Sequence, residues 1–153
     1  MERLYLDSSV FGGYFDEEFK RWSRRLITRI LDREYELVFS EVNEEELKSA
    51  PPHVVELVAK VRAVHPKITP VTAAAVKLAN AYITEEVVGA SSMADCLHIA
   101  IATLTKADML ASWNFKHIVN VQRIRGYNFV NESYGHNALE VRTPREILPD
   151  EED

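Results

Sequence analysis

Tyr35-Glu36-Leu37-Val38-Phe39-Ser40-Glu41-Val42-Asn43-Glu44-Glu45-Glu46-Leu47 changes its character halfway along. Residues 35–39 are rich in β-prone side chains and read as a strand. Ser40 then offers a hydroxyl to cap a helix over 41–49. On that helix Val42 and Glu46 lie one turn apart with Leu47 beside them, so Glu46 stands at the edge of the apolar stripe. Glu44 and Glu45 point away from it, toward water, because successive helical residues are turned by about 100°. A strand passing directly into a capped helix is the repeating unit of an α/β fold.

The same alternation continues in both directions. Leu4-Tyr5-Leu6 reads as a short strand ending at Asp7, and residues 17–31 carry Phe19, Trp22, Leu26, Ile27 and Ile30 at the 3–4 spacing of an amphipathic helix. Pro51-Pro52 stops the helix begun at Glu41 and can start another, with Val54, Val55, Leu57, Val58 and Val61 as its apolar positions. Thr69-Pro70 opens a helix over 71–86, and Ser92 begins one carrying Met93, Leu97, Ala100, Ile101 and Leu104. Residues 108–112 read as a third strand, 117–131 as a helix, and 139–141 as a last short strand before Thr143-Pro144. The expectation is a three-layer α/β/α domain over 1–148 with a mainly parallel sheet of four or five strands. The acidic Pro149-Asp150-Glu151-Glu152-Asp153 is expected to be a frayed tail.

Composition narrows the function. The 153 residues are 46% hydrophobic and 27% charged, which fits one globular domain rather than a disordered chain. One cysteine, Cys96, cannot form an internal disulfide, so nothing points to an oxidising compartment. No apolar run is long enough to span a bilayer, and the first residues lack the zones of a signal peptide, so a cytoplasmic location and no membrane are expected. A net charge of −6 has the wrong sign for a protein that binds nucleic acid through phosphate contacts alone. It leaves room for acids that hold a cation.

In a parallel sheet the functional residues lie beyond the carboxyl ends of the strands. Asp7 ends the first strand, Glu46 sits on the helix after the second, Asp95 lies in the first turn of the Ser92 helix, and Asn114 follows the third strand. If those strands are neighbours, the four positions converge. Clustered carboxylates repel and resist desolvation unless a cation neutralises them, and an all-oxygen set suits Mg²⁺ or Mn²⁺ rather than zinc. Each residue also has a plainer reading. Asp95 stands three residues after Ser92, at capping-box spacing. Glu46 belongs to an acidic run, and Asp7 before Ser8-Ser9 could close a turn.

Taken in order, the motifs resemble the PIN-domain family over nearly the whole chain. Leu6-Asp7-Ser8-Ser9-Val10-Phe11 is similar to its opening strand and acid. Phe39-Ser40 through Glu46-Leu47 matches its Ser-capped helix bearing Glu-Leu, and Ala94-Asp95-Cys96-Leu97-His98-Ile99-Ala100 its Asp before a His-bearing apolar helix. Leu110-Ala111-Ser112-Trp113-Asn114-Phe115-Lys116-His117 and Val141-Arg142-Thr143-Pro144 supply the remaining pieces. The resemblance implies a Mg²⁺- or Mn²⁺-dependent nuclease of single-stranded RNA, with Asp7, Glu46 and Asp95 as metal-binding acids. Many members are VapC-like toxins of type II toxin–antitoxin pairs, so a small antitoxin partner and a homodimer are implied as well. The apolar helices between Val54 and Ile83 are the candidate surfaces for the dimer. The chain departs from the pattern at Asn114, where many members place a fourth acid, and at Ser9, where the family has Asn. An amide removes one charge, so a second metal would bind weakly or only with substrate. Asp108 could substitute for the missing acid, yet at the start of a strand it would lie at the opposite end of the sheet from Asp7.

Among the other residues, Lys20, Arg21, Arg24, Arg25 and Arg29 read first as the solvated face of their helix, and second as an RNA or antitoxin surface. Lys116, His117, Arg123 and Arg125 are the nearer candidates for phosphate contacts. Trp113 could stack a base or pack under its loop. His98 shares a helix side with Asp95 and reads as a satisfied, partly buried histidine. The rival readings are a catalytically weak RNA-binding or protein-interaction module and a receiver-like phosphotransfer domain. The second lacks the paired acids it needs after Leu6.

Overall fold

The computed structural model describes residues 1–150. Four strands, β1 (Arg3–Leu6), β2 (Glu36–Val38), β3 (Met109–Ala111) and β4 (Glu140–Arg142), form one sheet in the order β2-β1-β3-β4, every pair parallel. Helices α1 (Ser9–Gly13), α2 (Lys20–Leu31), α3 (Glu41–Leu47), α4 (Pro52–Val64), α5 (Ala73–Thr84), α6 (Met93–Leu104), α7 (Val121–Ser133) and α8 (Pro144–Ile147) connect and cover it. This is the expected α/β class with a fully parallel sheet, and it is consistent with three layers.

The two faces of the sheet follow from the period-two alternation of side chains along a strand. Tyr5 pairs in register with Val38 on one side and Leu110 on the other, and Leu110 pairs with Val141. This row points into a core shared with α5, α6 and α7. The next row, Leu4 with Leu37 and Met109, points the opposite way into a core built with α1, α2 and α4. Strands buried on both faces carry the short continuous apolar runs seen here. Helix α6 is buried nearly all round, at Cys96, His98, Ile99, Ala100, Ile101, Ala102 and Thr103. It therefore shows little of the amphipathic stripe that a surface helix has.

Several helix starts differ from the sequence expectation, each for a local reason. Helix α2 begins at Lys20, not at residue 17, because the Asp16 carboxylate takes the Glu18 amide while the Asp16 carbonyl takes those of Phe19 and Lys20. Helix α5 begins at Ala73, where the Thr72 hydroxyl caps the Ala75 amide. Helix α7 begins at Val121, not at 117, because Asn120 caps Arg123 and ties back the carbonyls of Phe115 and Lys116. Ser92 makes no side-chain cap; a short 3₁₀ turn over Ala90–Ser92 leads into α6 instead. Helices α1 and α8 were not expected at all.

Of the expected tail, residues 151–153 lie outside the described part. The Pro149 carbonyl accepts from Arg25 Nη2 at 3.2 Å. No helix among the described residues is long and apolar enough to cross a membrane.

Candidate metal centre

The sheet delivers Asp7 to its carboxyl edge. The Asp7 amide donates to the Ala111 carbonyl at 2.9 Å, one residue beyond the β1–β3 ladder. Its side chain, 5% exposed, accepts two hydroxyl donors on the same oxygen: Ser9 Oγ at 2.6 Å and Ser112 Oγ at 2.8 Å on Oδ2. Ser9 is further fixed by accepting from the Trp113 amide at 3.0 Å. The loops after β1 and β3 are thus bonded to each other through the acid they present.

Glu46 arrives on α3, whose start is set by a reciprocal cap between Ser40 and Asn43. Its Oε1 accepts from Ser8 Oγ and from His98 Nε2, each at 2.7 Å. Burial would raise the Glu46 pKa; the hydrogen bond from His98, the charge of that ring and the Ser8 hydroxyl outweigh it and hold the carboxyl below its ordinary value. As expected, Glu44 and Glu45 face solvent.

His98 is fully buried on α6, with Nε2 also 3.5 Å from Asp7 Oδ1. Burial disfavours its protonation, but the bond to Glu46 and the charges of Asp7, Glu46 and Asp95 raise its pKa overall. One potential ligand atom from each of Asp7, Glu46 and His98 lies within 4.8 Å of the others. The expectation that this histidine is satisfied holds, although it is wholly rather than partly buried. Its place at the centre of the cluster was missed; the only sequence signal was its position one turn after Asp95.

Asp95 stands in the first turn of α6, half-buried. Its pKa is raised, first by burial and then by the charge of Asp7, with His98 and His117 opposing and Glu46 adding a further rise. Asn114 donates from Nδ2 to Asp95 Oδ1 at 3.3 Å and accepts the His117 amide on Oδ1 at 3.0 Å. Asp108 lies at the far end of the sheet, its carboxylate taking the Arg3 amide at 2.6 Å. A surface cavity at that end, lined by Thr103, Lys106, Asp108 and His136, stands apart from the acid cluster.

The surrounding residues divide between scaffold and surface. Trp113 is 8% exposed, stacked on Phe19 at 4.2 Å, with Nε1 donating to Ser23 Oγ at 2.8 Å, so it packs under its loop. A Cβ at Gly13 would come within 2.7 Å of the indole nitrogen, so only glycine fits against this ring. Phe115 is 50% exposed beside Asn114. Lys116 and Arg125 are exposed, whereas Arg123 is tied to the Val87 carbonyl. His117 Nδ1 is the one buried side-chain nitrogen or oxygen among the described residues with no hydrogen-bond partner. On α2, Arg24 lies over the Tyr14 ring and bonds the Tyr14 carbonyl.

Among the described residues the structure gathers ligand atoms of Asp7, Glu46 and His98, and Asp95, expected with the first two, is not part of that group. Two carboxylates and an imidazole are donors a divalent cation accepts. Asp7, Glu46 and Asp95 each engage one carboxylate oxygen in the bonds above. The others, Asp7 Oδ1, Glu46 Oε2 and Asp95 Oδ2, accept no hydrogen bond among the described residues. The raised Asp95 pKa reflects burial first and the charge of Asp7 second, and a nearby cation would oppose both. No model of a known protein family and no curated protein matches the chain.

Proposed function

We propose that the protein is a Mg²⁺- or Mn²⁺-dependent endoribonuclease of the PIN-domain type, acting on single-stranded RNA. The observation that carries this reading is the meeting of the Asp7 and Glu46 carboxylates, each with an oxygen left uncommitted, around His98 at one edge of the sheet, with Asp95 near enough for the charge of Asp7 to raise its pKa. Asp7, Asp95 and Glu46 would hold the cation, with Asn114 at the margin of the site. When bound, such an ion lowers the pKa of a water molecule and offsets the charge that grows on the non-bridging phosphate oxygens.

The chain's own part is positional. Ser9 and Ser112 fix the Asp7 carboxylate, Asn114 holds Asp95, and Ser8 with His98 holds Glu46. Such fixing keeps the acids from turning away from one another, which their mutual repulsion favours in the metal-free protein. Phe115, with its ring 6.2 Å from Phe19 and 6.3 Å from Trp113, offers a supported aromatic face to an unpaired base, in the place first considered for Trp113. Lys116 beside it can meet a phosphate.

A role as the toxin of a toxin–antitoxin pair belongs to the same reading, with a small antitoxin and a second copy of the chain as partners. Val55 on α4 and Val76 on α5, 41% and 40% exposed, are apolar positions that such partners could cover. The second reading, a catalytically weak RNA-binding or protein-interaction module, is favoured by Asn114 standing where a fourth acid would. Cleavage of single-stranded RNA by the purified chain with Mg²⁺ or Mn²⁺, blocked by EDTA and absent in Asp7→Asn, supports the nuclease. RNA binding without metal-dependent cleavage favours the module.

A further inference from the structure

We infer that His98 is a positioning residue for Glu46 rather than a metal ligand, held in that role by a buried chain through Tyr5, Ser40 and Asn43. The inference rests on reading Asp7, Glu46 and Asp95 as the metal-binding acids.

Six side chains close a hydrogen-bonded ring. Glu46 Oε1 meets His98 Nε2 at 2.7 Å, and His98 Nδ1 meets the Tyr5 hydroxyl at 2.5 Å. The Tyr5 hydroxyl meets Ser40 Oγ at 2.7 Å, and Ser40 Oγ lies 3.2 Å from Asn43 Oδ1. Asn43 Nδ2 donates to Ser8 Oγ at 3.0 Å, and Ser8 Oγ donates back to Glu46 Oε1 at 2.7 Å. Tyr5, Ser40, Asn43 and His98 are each 0% exposed. The ring ties β1, α3 and α6 together at the carboxyl edge of the sheet.

Donor counting decides the role of the imidazole. An ionised carboxylate only accepts, so Nε2 must carry the hydrogen it gives to Glu46. While it carries that hydrogen Nε2 has no lone pair for a cation, so a metal could take this nitrogen only by displacing both the proton and the bond to Glu46, despite its place within the cluster. In the neutral ring Nδ1 then accepts from the Tyr5 hydroxyl and Tyr5 accepts from Ser40, which accepts from the Asn43 amide at 3.3 Å and no longer donates to Asn43 Oδ1, so the circuit is open at that one contact. In the charged ring both nitrogens donate, and Nε2 is again unavailable. Tyr5 is thus more than a core residue. Its hydroxyl sets the rotation of the imidazole and, through it, the carboxylate.

Three measurements on the full chain test this. In the Mn²⁺-loaded protein, electron spin-echo modulation should show no directly coordinated imidazole nitrogen; a coordinated nitrogen overturns the inference. Tyr5→Phe, with Ser40→Ala as the alternative should it fold poorly, should weaken Mn²⁺ binding roughly ten- to a hundredfold, the usual effect of losing a group behind a ligand. Unchanged affinity in a folded variant overturns the inference while leaving the nuclease reading intact. In the metal-free protein, NMR should detect a slowly exchanging His98 Nε2 proton that Tyr5→Phe loses. If wild type binds no Mn²⁺ yet shows this proton and its loss, the clamp stands and the metal reading falls. Absence of the proton in wild type overturns the clamp.

Discussion

Asn114 donates from Nδ2 to the Asp95 carboxylate at 3.3 Å, so a residue just after the β3 end is a neutral neighbour that holds an acid still. Its carbonyl oxygen is used as well, accepting the amide of His117. Replacing this amide with a carboxylate exchanges a hydrogen bond for a like charge. Asn114→Asp is therefore expected to lower the stability of the metal-free protein by about 1 kcal/mol and to tighten Mn²⁺ binding. Thermal unfolding with and without Mn²⁺ checks both signs, and a variant less responsive to the ion than wild type contradicts the account.

Asp95 carries the clearest cost of the site. Its pKa is raised by burial and by Asp7, so the ionised form is disfavoured in the folded chain. The contribution to stability is greatest below the ordinary carboxylate pKa and is lost as pH rises through the raised one. Asp95→Asn should abolish cleavage while unfolding at a higher temperature than wild type in EDTA. The gap between the two should open as pH increases from about 4. Full cleavage activity in this variant removes Asp95 from the site.

Divalent cations should act as ligands of the folded state. A total of 100 times the dissociation constant of Mg²⁺ or Mn²⁺ stabilises a one-site protein by about 2.7 kcal/mol. Wild type should show that rise on metal addition and lose it in EDTA. Asp7→Asn should show little or none while keeping its far-ultraviolet circular dichroism. An equal rise in Asp7→Asn would place the ion elsewhere.

The two neighbouring aromatic residues should separate in their effects. Phe115 is half exposed, so Phe115→Ala is expected to raise KM for single-stranded RNA by roughly five- to a hundredfold, in line with about 1–3 kcal/mol for one stacked base, with kcat and stability nearly unchanged. Trp113 is buried against Phe19 and bonded to Ser23. Trp113→Ala should cost about 3–5 kcal/mol of stability. Steady-state kinetics together with denaturant unfolding distinguish the two.

Cys96 is fully buried, and burial together with the charge of Asp95 pushes its thiol up to about 12. The thiolate is the reactive form. At pH 8 the native protein should resist thiol reagents, and labelling should appear only with denaturant, following the unfolding curve. Rapid labelling of the native state would show that α6 opens locally.

Much of the architecture was legible because it depends on short-range physics. The β-prone run at 35–39 and the Ser40 cap needed only local propensity and one hydroxyl, and both the strand and the cap are present within a residue or two. The apolar runs around Leu4, Leu110 and Val141 were enough to predict a parallel sheet. The opposed placement of Asp108 and Asp7 followed from counting along a strand. Starts set by side-chain caps were less legible. Asp16 and Asn120 compete with the helix for backbone amides, and periodicity alone does not register that competition.

The sequence by itself determined the four strands, the longer helices and the positions of Asp7, Glu46 and Asp95 along them, because those depend on neighbours a few residues away. Only the tertiary structure decided that His98 faces Glu46, that Tyr5 and Ser40 stand behind it, that Asn114 holds Asp95, and that Phe115 rather than Trp113 is exposed. Each of these relations joins residues from different elements or different faces of one loop. Packing of α3 and α6 against the sheet sets the distances between them, and a spacing along the chain does not encode those distances.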